Sequence, residues 1–386
     1  MAWPGNAVSG MRLYDTARQA VVPFEPPEHV LMYTCGITPY DATHLGHAAT
    51  FLAYDVLTRR LIDLGHRVTC VRNVTDVDDP LFAKARQLGI HYLDLAAGEE
   101  ARFEADMAAL NALPVASSPR ASSAIPDIRG FIGMVIDRGY AYVAAGSVYF
   151  DVSKFESFGT VSHYSREQML EYAKARGGDV DNPNKRNPLD FVLWHPSAPD
   201  EPSWDTLWGP GRPGWHIECS ALALRELGST IHLHGGGADL IFPHHESERA
   251  QSEAATGEPF VRHWMHTALI SMNGEKMSKS LGNLVFIDAL RKEWDPATIR
   301  LAIIGHQYRT EWEWDDGLMD RSEAQLDSWR TAAAAGGAVG SLLDAVRERL
   351  DDDLDTPSAF TLVDAAAADG DGAGVAAAAD LLGIRL

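Results

Sequence analysis

The feature that most constrains the fold is an apolar segment followed by a loop, a helix and a second apolar segment. Residues 30–34 (VLMYT) predict a short buried strand that ends where Gly36 and Pro39 break regular structure. After the loop, apolar side chains recur at helical spacing over residues 46–64, and residues 67–73 (RVTCVRN) predict a second buried strand. The simplest arrangement of these elements is a right-handed parallel crossover, so we expect an α/β fold built on a parallel sheet.

Composition is that of an ordinary globular protein. The chain has 386 residues, 46% hydrophobic and 23% charged, which is enough to bury a substantial core. No apolar run reaches the roughly 20 residues that span a bilayer, and the start lacks a secretory signal pattern, so we expect a cytoplasmic protein. The cysteines are too few for a disulfide framework, which leaves each available as a thiol: Cys35, Cys70 and Cys219.

The remaining chain alternates further strands and helices. Residues 80–138 predict helical stretches separated by prolines, and residues 141–152 predict a hairpin around Gly146. A strand is expected over residues 231–237 and a helix over residues 244–256. The chain then becomes helical, and its Ala/Gly/Asp-rich end predicts a small and partly mobile segment.

We divide the chain into four segments in sequence order. They are the first half of the α/β domain, an insertion, the second half of that domain, and a helical C-terminal region: residues 1–80, 81–205, 206–284 and 285–386.

The first of two phosphate-handling patterns is HLGH, residues 44–47, where the first strand passes into its helix. Free N–H groups and the positive end of the helix dipole attract anions at such a point. The imidazoles of His44 and His47 can stabilise charge that develops on phosphate oxygens. A capped helix with exposed histidines is the alternative interpretation.

The second pattern is KMSKS, residues 276–280, which follows the turn sequence Asn273–Gly274. Lys276 and Lys279, flanked by serines, can close over a triphosphate and neutralise charge as pyrophosphate departs. Taken alone, KMSKS also fits a solvated surface loop. HLGH and KMSKS in one chain, each after a predicted strand, favour ATP binding between them.

The pair of motifs resembles the two signatures of class I aminoacyl-tRNA synthetases, in which HLGH stands as the HIGH element. The resemblance implies a Rossmann-like class I synthetase catalytic domain, a parallel sheet with helices on both faces. It also implies a helical insertion and a small C-terminal helical domain. ATP with Mg²⁺ would lie between the motifs, and an amino-acid carboxylate would attack its α-phosphate.

Three side chains of the types that bind zinc each stand beside a motif. Cys35 lies at the tip of the first strand, Cys219 within GWHIECS and His244 within FPHHESE. The tips of parallel strands converge at the carboxyl edge of a sheet, where such folds place ligands. The alternative is two core cysteines and a helix-capping histidine.

The resemblance narrows to cysteinyl-tRNA synthetase and its relatives over about residues 28 to 310. It is carried by YTCGITPYDATHLGHA, KRNPLDFVLW, GWHIECS, HGGGADLIFPHHESE and KMSKS. It implies one zinc ion per chain held by Cys35, Cys219 and His244, with Glu248 at the position of a fourth, weaker ligand. Zinc would select cysteine, as a thiolate, over serine.

The resemblance also places further residues around the substrates. Those expected in the amino-acid pocket are Gly36, Ile37, Thr38, Thr50, Asn73, Val74, Thr75 and Trp215. Those expected at the ribose and adenine are Gly237, Ala238, Asp239 and Ile270. For Asp239 a helix cap is the alternative. His245 is expected to support the metal site rather than bind the metal, and Cys70 is expected in the core.

The acceptor of the activated cysteine can be a tRNA 3′ end or, in an actinobacterial relative, the amine of glucosaminyl-inositol on the way to mycothiol. The sequence after Ser280 offers little basic or aromatic surface for RNA. RGGD, residues 176–179, is close to the ERGGDP element of the ligase, although Ala175 and Val180 replace its ends. The net charge of −21 opposes a polyanion, although a local basic groove can coexist with it.

We therefore expect a monomer that acts on L-cysteine, ATP and an amino sugar–inositol, without nucleic acid or membrane. A synthetase-like binding protein without catalysis is a third hypothesis. The intact HLGH, KMSKS and metal-ligand motifs argue against it, because mere binding does not require them.

Lys279→Ala tests the assignment of the basic loop. We expect it to slow adenylate formation more than it weakens cysteine binding, because the lysine acts on charge that develops in the transition state. The rate of cysteine-dependent ATP–pyrophosphate exchange, measured across cysteine concentrations, separates the two effects. An unaltered rate would count against the assignment.

Overall fold

The computed structural model describes residues 10–277, 281–337 and 340–386. The strands are β1 (Arg12–Asp15), β2 (Ala20–Pro23), β3 (His29–Ile37), β4 (Arg67–Val74), β5 (Ala141–Ala144), β6 (Ser147–Phe150), β7 (Phe191–His195), β8 (Arg212–Pro213), β9 (Leu233–Gly237), β10 (Trp264–Thr267), β11 (Ile270–Met272), β12 (Glu275–Lys276) and β13 (Trp312–Trp314).

The helices are α1 (Leu45–Asp63), α2 (Asp79–Leu88), α3 (Tyr92–Ala109), α4 (Ile125–Asp137), α5 (Arg166–Ala175), α6 (Trp215–Leu227), α7 (Glu246–Thr256), α8 (Ile287–Leu290), α9 (Pro296–Ile304), α10 (Leu318–Ala335), α11 (Leu342–Asp351), α12 (Thr356–Asp369) and α13 (Gly372–Leu381). Short 3₁₀ and π turns connect β9 to α7 over residues 238–245.

A parallel four-stranded sheet in the order β10-β9-β3-β4 forms the centre of the molecule. The predicted unit of strand, helix and strand is confirmed as β3, α1 and β4. The strand does not end at Gly36, however, but continues through a register shift between Thr34 and Ile37. Glycine is required there because a Cβ on Gly36 would lie 1.7 Å from the carbonyl oxygen of Asn73 in β4.

The two faces of the sheet pack against different helices. Val30 and Met32 of β3 join the apolar cluster that contains α1, whereas Leu31 and Tyr33 join the cluster that contains α6 and α7. This alternation follows from the period of two residues along a strand, and it explains why the run Val30 to Tyr33 of β3 is apolar on both faces. The predicted helices on both faces are therefore confirmed.

The insertion is not purely helical. The predicted hairpin around Gly146 is confirmed as β5 and β6, and β7 and β8 extend it to a four-stranded antiparallel sheet. Ala145 and Gly146 form its turn with φ of 49° and 80°. Because β8 lies beyond residue 205, this sheet crosses one of the segment boundaries that we drew, and the four segments stay a prediction.

A tight hairpin leads into the basic loop. β11 and β12 pair across Asn273 and Gly274, whose φ angles of 55° and 75° are those of a two-residue hairpin turn. β13, which the sequence did not indicate, pairs in parallel with β11. Lys276 ends β12, and the last three residues of KMSKS, Ser278, Lys279 and Ser280, lie outside the described residues.

The Ala/Gly/Asp-rich end folds into a helical bundle, as expected for a small C-terminal helical domain, and its mobility stays a prediction. α10 to α13 pack together and against α1. Val375, Ala378 and Ala379 are fully buried, and Gly372 lies so near α10 that a Cβ would be 2.0 Å from the carbonyl oxygen of Ala332. Small side chains permit this close approach, so a composition of small residues forms a compact core.

A buried arginine joins the bundle to the α/β domain. Arg300 of α9 is 0% exposed and forms an ion pair with Asp55 of α1. Its guanidinium also donates to the carbonyl oxygens of Leu110 and Leu382, each at 3.0 Å. The guanidinium of Arg300 thus connects three segments that are distant in sequence, those of Asp55, Leu110 and Leu382.

No helix in the described ranges is long and apolar enough to cross a membrane.

We expect Arg300→Met to lower the free energy of unfolding by about 3 kcal/mol, because it removes the donors of buried carbonyl groups and a partner of Asp55. Arg321→Met is the matched control, since Arg321 forms an exposed pair with Asp315, and solvent-exposed pairs of this kind contribute little to stability. Chemical denaturation measures both. Equal stability of the two variants would contradict the structural role of Arg300.

Candidate active site

A cavity of about 670 Å³ opens at the carboxyl edge of the parallel sheet. This is the edge where α/β folds of this kind bind ligands. Most of the residues that we predicted around the substrates line it: Cys35, Gly36, Ile37, Thr38, His44, His47, Thr50, Asn73, Thr75, Trp215, Cys219, Gly237, Asp239, His244, Ile270 and Lys276. Val74 and Ala238 do not line it, and Lys279 lies outside the described residues.

The tips of β3 and β4 hold each other in register at the cavity wall. The backbone N–H of Gly36 donates to Oδ1 of Asn73 at 2.9 Å, and the Asn73 amide donates to the Thr75 hydroxyl at 2.9 Å. Val74 lies between these two residues on the strand, so its side chain points to the opposite face. This alternation explains why Asn73 and Thr75 reach the cavity and Val74 does not.

HLGH forms the start of α1 and faces the cavity. The ring of His44 caps the helix by accepting from the backbone N–H of His47 at 3.4 Å, and the two rings stack with centroids 3.7 Å apart. The capping part of the alternative interpretation is therefore correct, but both histidines are half-buried on the cavity wall rather than exposed. The arrangement directs imidazole and helix N–H groups into one space.

The two phosphate-handling motifs are joined by backbone hydrogen bonds. The N–H of Leu45 donates to the carbonyl oxygen of Val285 at 2.8 Å, and the N–H of Ile287 donates to that of Thr43 at 2.9 Å. The chain that leaves the basic loop is thus fixed to HLGH. Lys276, at the entry of the loop, lies on the wall of the same cavity.

A cluster of buried sulfur, imidazole and carboxylate groups lies deep in the cavity. The thiols of Cys35 and Cys219 are 3.9 Å apart. Oε1 of Glu248 lies 3.3 Å from the sulfur of Cys35 and 2.9 Å from Nε2 of His244. Nε2 of His245 lies 3.2 Å from the same sulfur. All five residues are 5% exposed or less, and single atoms of Cys35, His244, His245 and Glu248 lie within 4.8 Å of one another.

The electrostatics of the cluster separate its groups into acids and bases. Burial alone would raise the pKa of the Cys219 thiol, but a hydrogen bond from Cys35 and the charge of His244 lower it to about 6. Burial would lower the pKa of His244, but Glu248 raises it to about 10. Burial and the neighbouring Cys219 raise the pKa of Cys35 well above its usual value. Before a cation binds, the site thus favours the Cys219 thiolate beside a protonated His244 and a protonated Cys35 thiol, and a zinc ion would displace these protons as it binds sulfur and imidazole nitrogen.

Further histidines support these groups, and sequence reasoning missed their roles. His216 contacts the ring of His244 at 2.9 Å between Nδ1 atoms, and Nε2 of His234 contacts Oε2 of Glu248 at 3.0 Å. His266 contacts Nδ1 of His245 at 2.7 Å. His234 lies near the start of β9, directly before its three glycines, and His266 lies near the carboxyl end of β10. A histidine within each of these strands was the signal that the sequence offered.

Trp215, the first residue of α6, and Asp239, in the turn after β9, both line the cavity. The indole of Trp215 stacks on the ring of His244 with centroids 4.3 Å apart. Asp239 follows β9 in a 3₁₀ turn and does not cap a helix, so the alternative that we considered for it is wrong. Additional lining residues that we did not predict are Tyr40, Gly46, Phe51, Ala175, Leu240, Ala268, Leu269, Met277 and Leu284.

Comparison with known proteins identifies the family. The family model described as tRNA synthetases class I (C) catalytic domain matches residues 21–324. An L-cysteine:1D-myo-inositol 2-amino-2-deoxy-alpha-D-glucopyranoside ligase of Thermobispora bispora is 48% identical over 96% of this chain and 93% of its own length. The enzyme of the same name from Acidothermus cellulolyticus is 47% identical over the full length of both chains.

The solved structure of Mycobacterium tuberculosis methionyl-tRNA synthetase in complex with methionyl-adenylate shares the fold. It superposes with a TM-score of 0.66 at 14% identity, over 92% of this chain and 89% of that one. The Rossmann-like class I synthetase fold is thereby confirmed. The chain belongs to the class I synthetase family and, within it, to the family of L-cysteine:1D-myo-inositol 2-amino-2-deoxy-alpha-D-glucopyranoside ligases.

Proposed function

We propose that the chain activates L-cysteine with ATP as cysteinyl-adenylate and joins it to the amine of glucosaminyl-inositol. The reaction forms an amide bond and releases AMP and pyrophosphate. The observation that carries this proposal is the buried cluster of Cys35, Cys219 and His244, which faces the same cavity as HLGH and Lys276. The names of the full-length relatives supply the acceptor.

In this proposal ATP binds between the two motifs with Mg²⁺ on its phosphates. His44 and His47 present their rings and the first N–H groups of α1 to the phosphates, and Lys276 and Lys279 add positive charge from the basic loop. These groups stabilise the charge that moves onto pyrophosphate as the cysteine carboxylate attacks the α-phosphate. Asp239 and the backbone of Ile270 would hold the ribose and adenine on the same wall.

The buried cluster fits a zinc ion. Cys35, Cys219 and His244 would hold it, with Glu248 as a fourth ligand, because two sulfurs, an imidazole and a carboxylate are donors that zinc accepts. His245, rather than Cys219, is the fourth member of the group whose atoms lie within 4.8 Å of one another, but we assign Cys219 because its thiol favours the thiolate form. When bound, zinc would accept the substrate thiolate and so distinguish cysteine from serine. His216 and His245 contact ligand atoms and would orient them.

The acceptor would approach past the end of α5. Ala175, the last residue of α5, lines the cavity, and the RGGD segment follows it directly. Gly177 has φ of 82°, and a Cβ on Gly178 would lie 2.8 Å from the carbonyl oxygen of Ala173. Both glycines are therefore required for the turn that follows Ala175 at the end of α5.

The ligase is favoured over a cysteinyl-tRNA synthetase because full-length relatives carry the ligase name, and because RGGD directly follows Ala175, which lines the cavity. A cytoplasmic monomer that binds no nucleic acid remains part of the proposal. An acceptor assay tests it. The protein, ATP and cysteine are incubated with glucosaminyl-inositol or with uncharged cysteine tRNA, and we expect only the amino sugar to be cysteinylated. Cysteinylation of the tRNA alone would overturn the proposal.

We expect Cys219→Ser to lose zinc and to lose cysteine-dependent ATP–pyrophosphate exchange by at least about 100-fold, while the fold survives. Zinc content by elemental analysis, exchange kinetics and circular dichroism measure the three effects. Cys70→Ser is the matched control, because Cys70 packs against the apolar core and burial raises its pKa to about 11. It should keep zinc and exchange activity. Full exchange by Cys219→Ser would refute the metal role.

A further inference from the structure

A carboxylate that does not line the cavity is connected to it by one hydroxyl. Asp78 precedes α2 and caps it, since Oδ1 accepts from the backbone N–H of Asp79 at 2.9 Å. The other oxygen, Oδ2, accepts from the hydroxyl of Thr38 at 3.3 Å. Thr38 lies on the cavity wall two residues after Gly36. The carboxylate of Asp78 therefore reaches the substrate space through Thr38.

The charges that face Asp78 come from three elements. Asp79 of α2 is its neighbour, Arg212 of β8 lies within electrostatic reach, and the buried Glu218 of α6 is affected by its charge. Arg212 forms ion pairs with Asp79 and with Glu201. Among the described residues, no ion pair neutralises Asp78. Burial raises its pKa to about 6, and the adjacent Asp79 adds to the shift.

The proposed transfer step requires a proton acceptor. The amine of an amino sugar is largely an ammonium ion at neutral pH, and only the neutral amine has the lone pair that attacks the acyl carbon. A base is most effective when its pKa is close to the working pH. An ordinary exposed aspartate is too weak a base for this purpose, whereas a partly buried one is better matched.

We infer that Asp78 receives the proton of the acceptor amine through the hydroxyl of Thr38, an inference that rests on the proposed ligase function. The N–H bond of the ammonium breaks and its proton passes to Oγ1 of Thr38, while the hydroxyl proton of Thr38 passes to Oδ2 of Asp78. The amine lone pair then forms the C–N bond with the acyl carbon, and the second proton that this nitrogen loses as the amide forms passes to the departing phosphate. The C–O bond to the phosphate breaks, and AMP leaves with that electron pair. Asp78 acts through Thr38 and is a positioning residue.

Asp78→Asn tests the inference with little risk to the fold, because asparagine caps helices as well as aspartate does. The zinc-loaded full-length protein is first allowed to form cysteinyl-adenylate and is then mixed rapidly with glucosaminyl-inositol. We expect the transfer rate to fall by about 100-fold. Cysteine-dependent ATP–pyrophosphate exchange should fall by about threefold or less, since that half-reaction moves no proton to Asp78.

The pH profile separates a proton acceptor from a structural role. The acceptor must be ionised to take a proton, so the transfer rate of the unmodified protein should fall as pH drops through about 6. Asp78→Asn should lose this dependence and keep only that of the amine itself. Thr38→Ser should retain more transfer than Thr38→Val, because serine keeps the hydroxyl.

Asp79→Asn is the matched control. It removes a neighbouring carboxylate that pairs with Arg212 and does not contact Thr38. It should transfer at close to the normal rate, with the pH dependence moved slightly lower.

Normal transfer by Asp78→Asn, or an equal loss in both half-reactions, would overturn the inference. The first result would assign the proton to another group, such as the departing phosphate, and the second would assign Asp78 to the structure of the cysteine pocket. If the unmodified protein exchanged pyrophosphate but never cysteinylated glucosaminyl-inositol, the proposed acceptor would be wrong. The proposed role of Asp78, which is to receive a proton from the amine of that acceptor, would then also be wrong.

Discussion

The structure depends on the convergence of two thiols, an imidazole and a carboxylate at the carboxyl edge of the parallel sheet. Cys35 arrives on β3, Cys219 on α6, and His244 and Glu248 at the start of α7. Their sulfur, nitrogen and oxygen atoms lie within about 4 Å of their nearest partners. The two faces of the sheet, the turns between β9 and α7, and the stacking of Trp215 all serve to hold these groups at one point.

This convergence would be unfavourable without compensation. Burying one ionised carboxylate costs several kcal/mol even after the protein relaxes, and Glu248 is fully buried. Contacts with His234 and His244 offset this cost and hold the pKa of Glu248 well below its usual value, although burial alone would raise it. A buried set of thiol, imidazole and carboxylate groups that would otherwise compete for protons is what a divalent cation stabilises. Binding of a cation would thus explain why these polar side chains are buried at a position where apolar side chains would carry no cost of burial.

Much of this arrangement could be predicted from the sequence, because local patterns specify it. The apolar run of β3, the spacing of α1 and the glycine-rich end of β9 indicate which segments form the parallel sheet, and side chains near the carboxyl ends of its strands meet. The positions of Cys35, Asn73 and Asp239 follow from that rule. HLGH at the start of α1 follows from helix periodicity alone.

What could not be predicted depends on contacts between distant segments. The pairing of β6 with β7 needs a tertiary register that no local pattern carries, and so does the contact of His216 with His244. Val74 was placed in the pocket with its neighbours because the motif is contiguous, whereas strand geometry turns it away. The close approach of α10 and α13 could not be predicted either, because composition does not reveal which small side chains come into contact.

The central claim is that the buried cluster binds a zinc ion that in turn receives the sulfur of the substrate. X-ray absorption at the zinc edge, recorded on the zinc-loaded protein before and after addition of L-cysteine, tests it directly. We expect sulfur neighbours from Cys35 and Cys219 in the free protein and one additional sulfur when cysteine is bound, with no change when L-serine is added instead. A zinc environment without sulfur, or one that does not change when cysteine binds, would contradict the account.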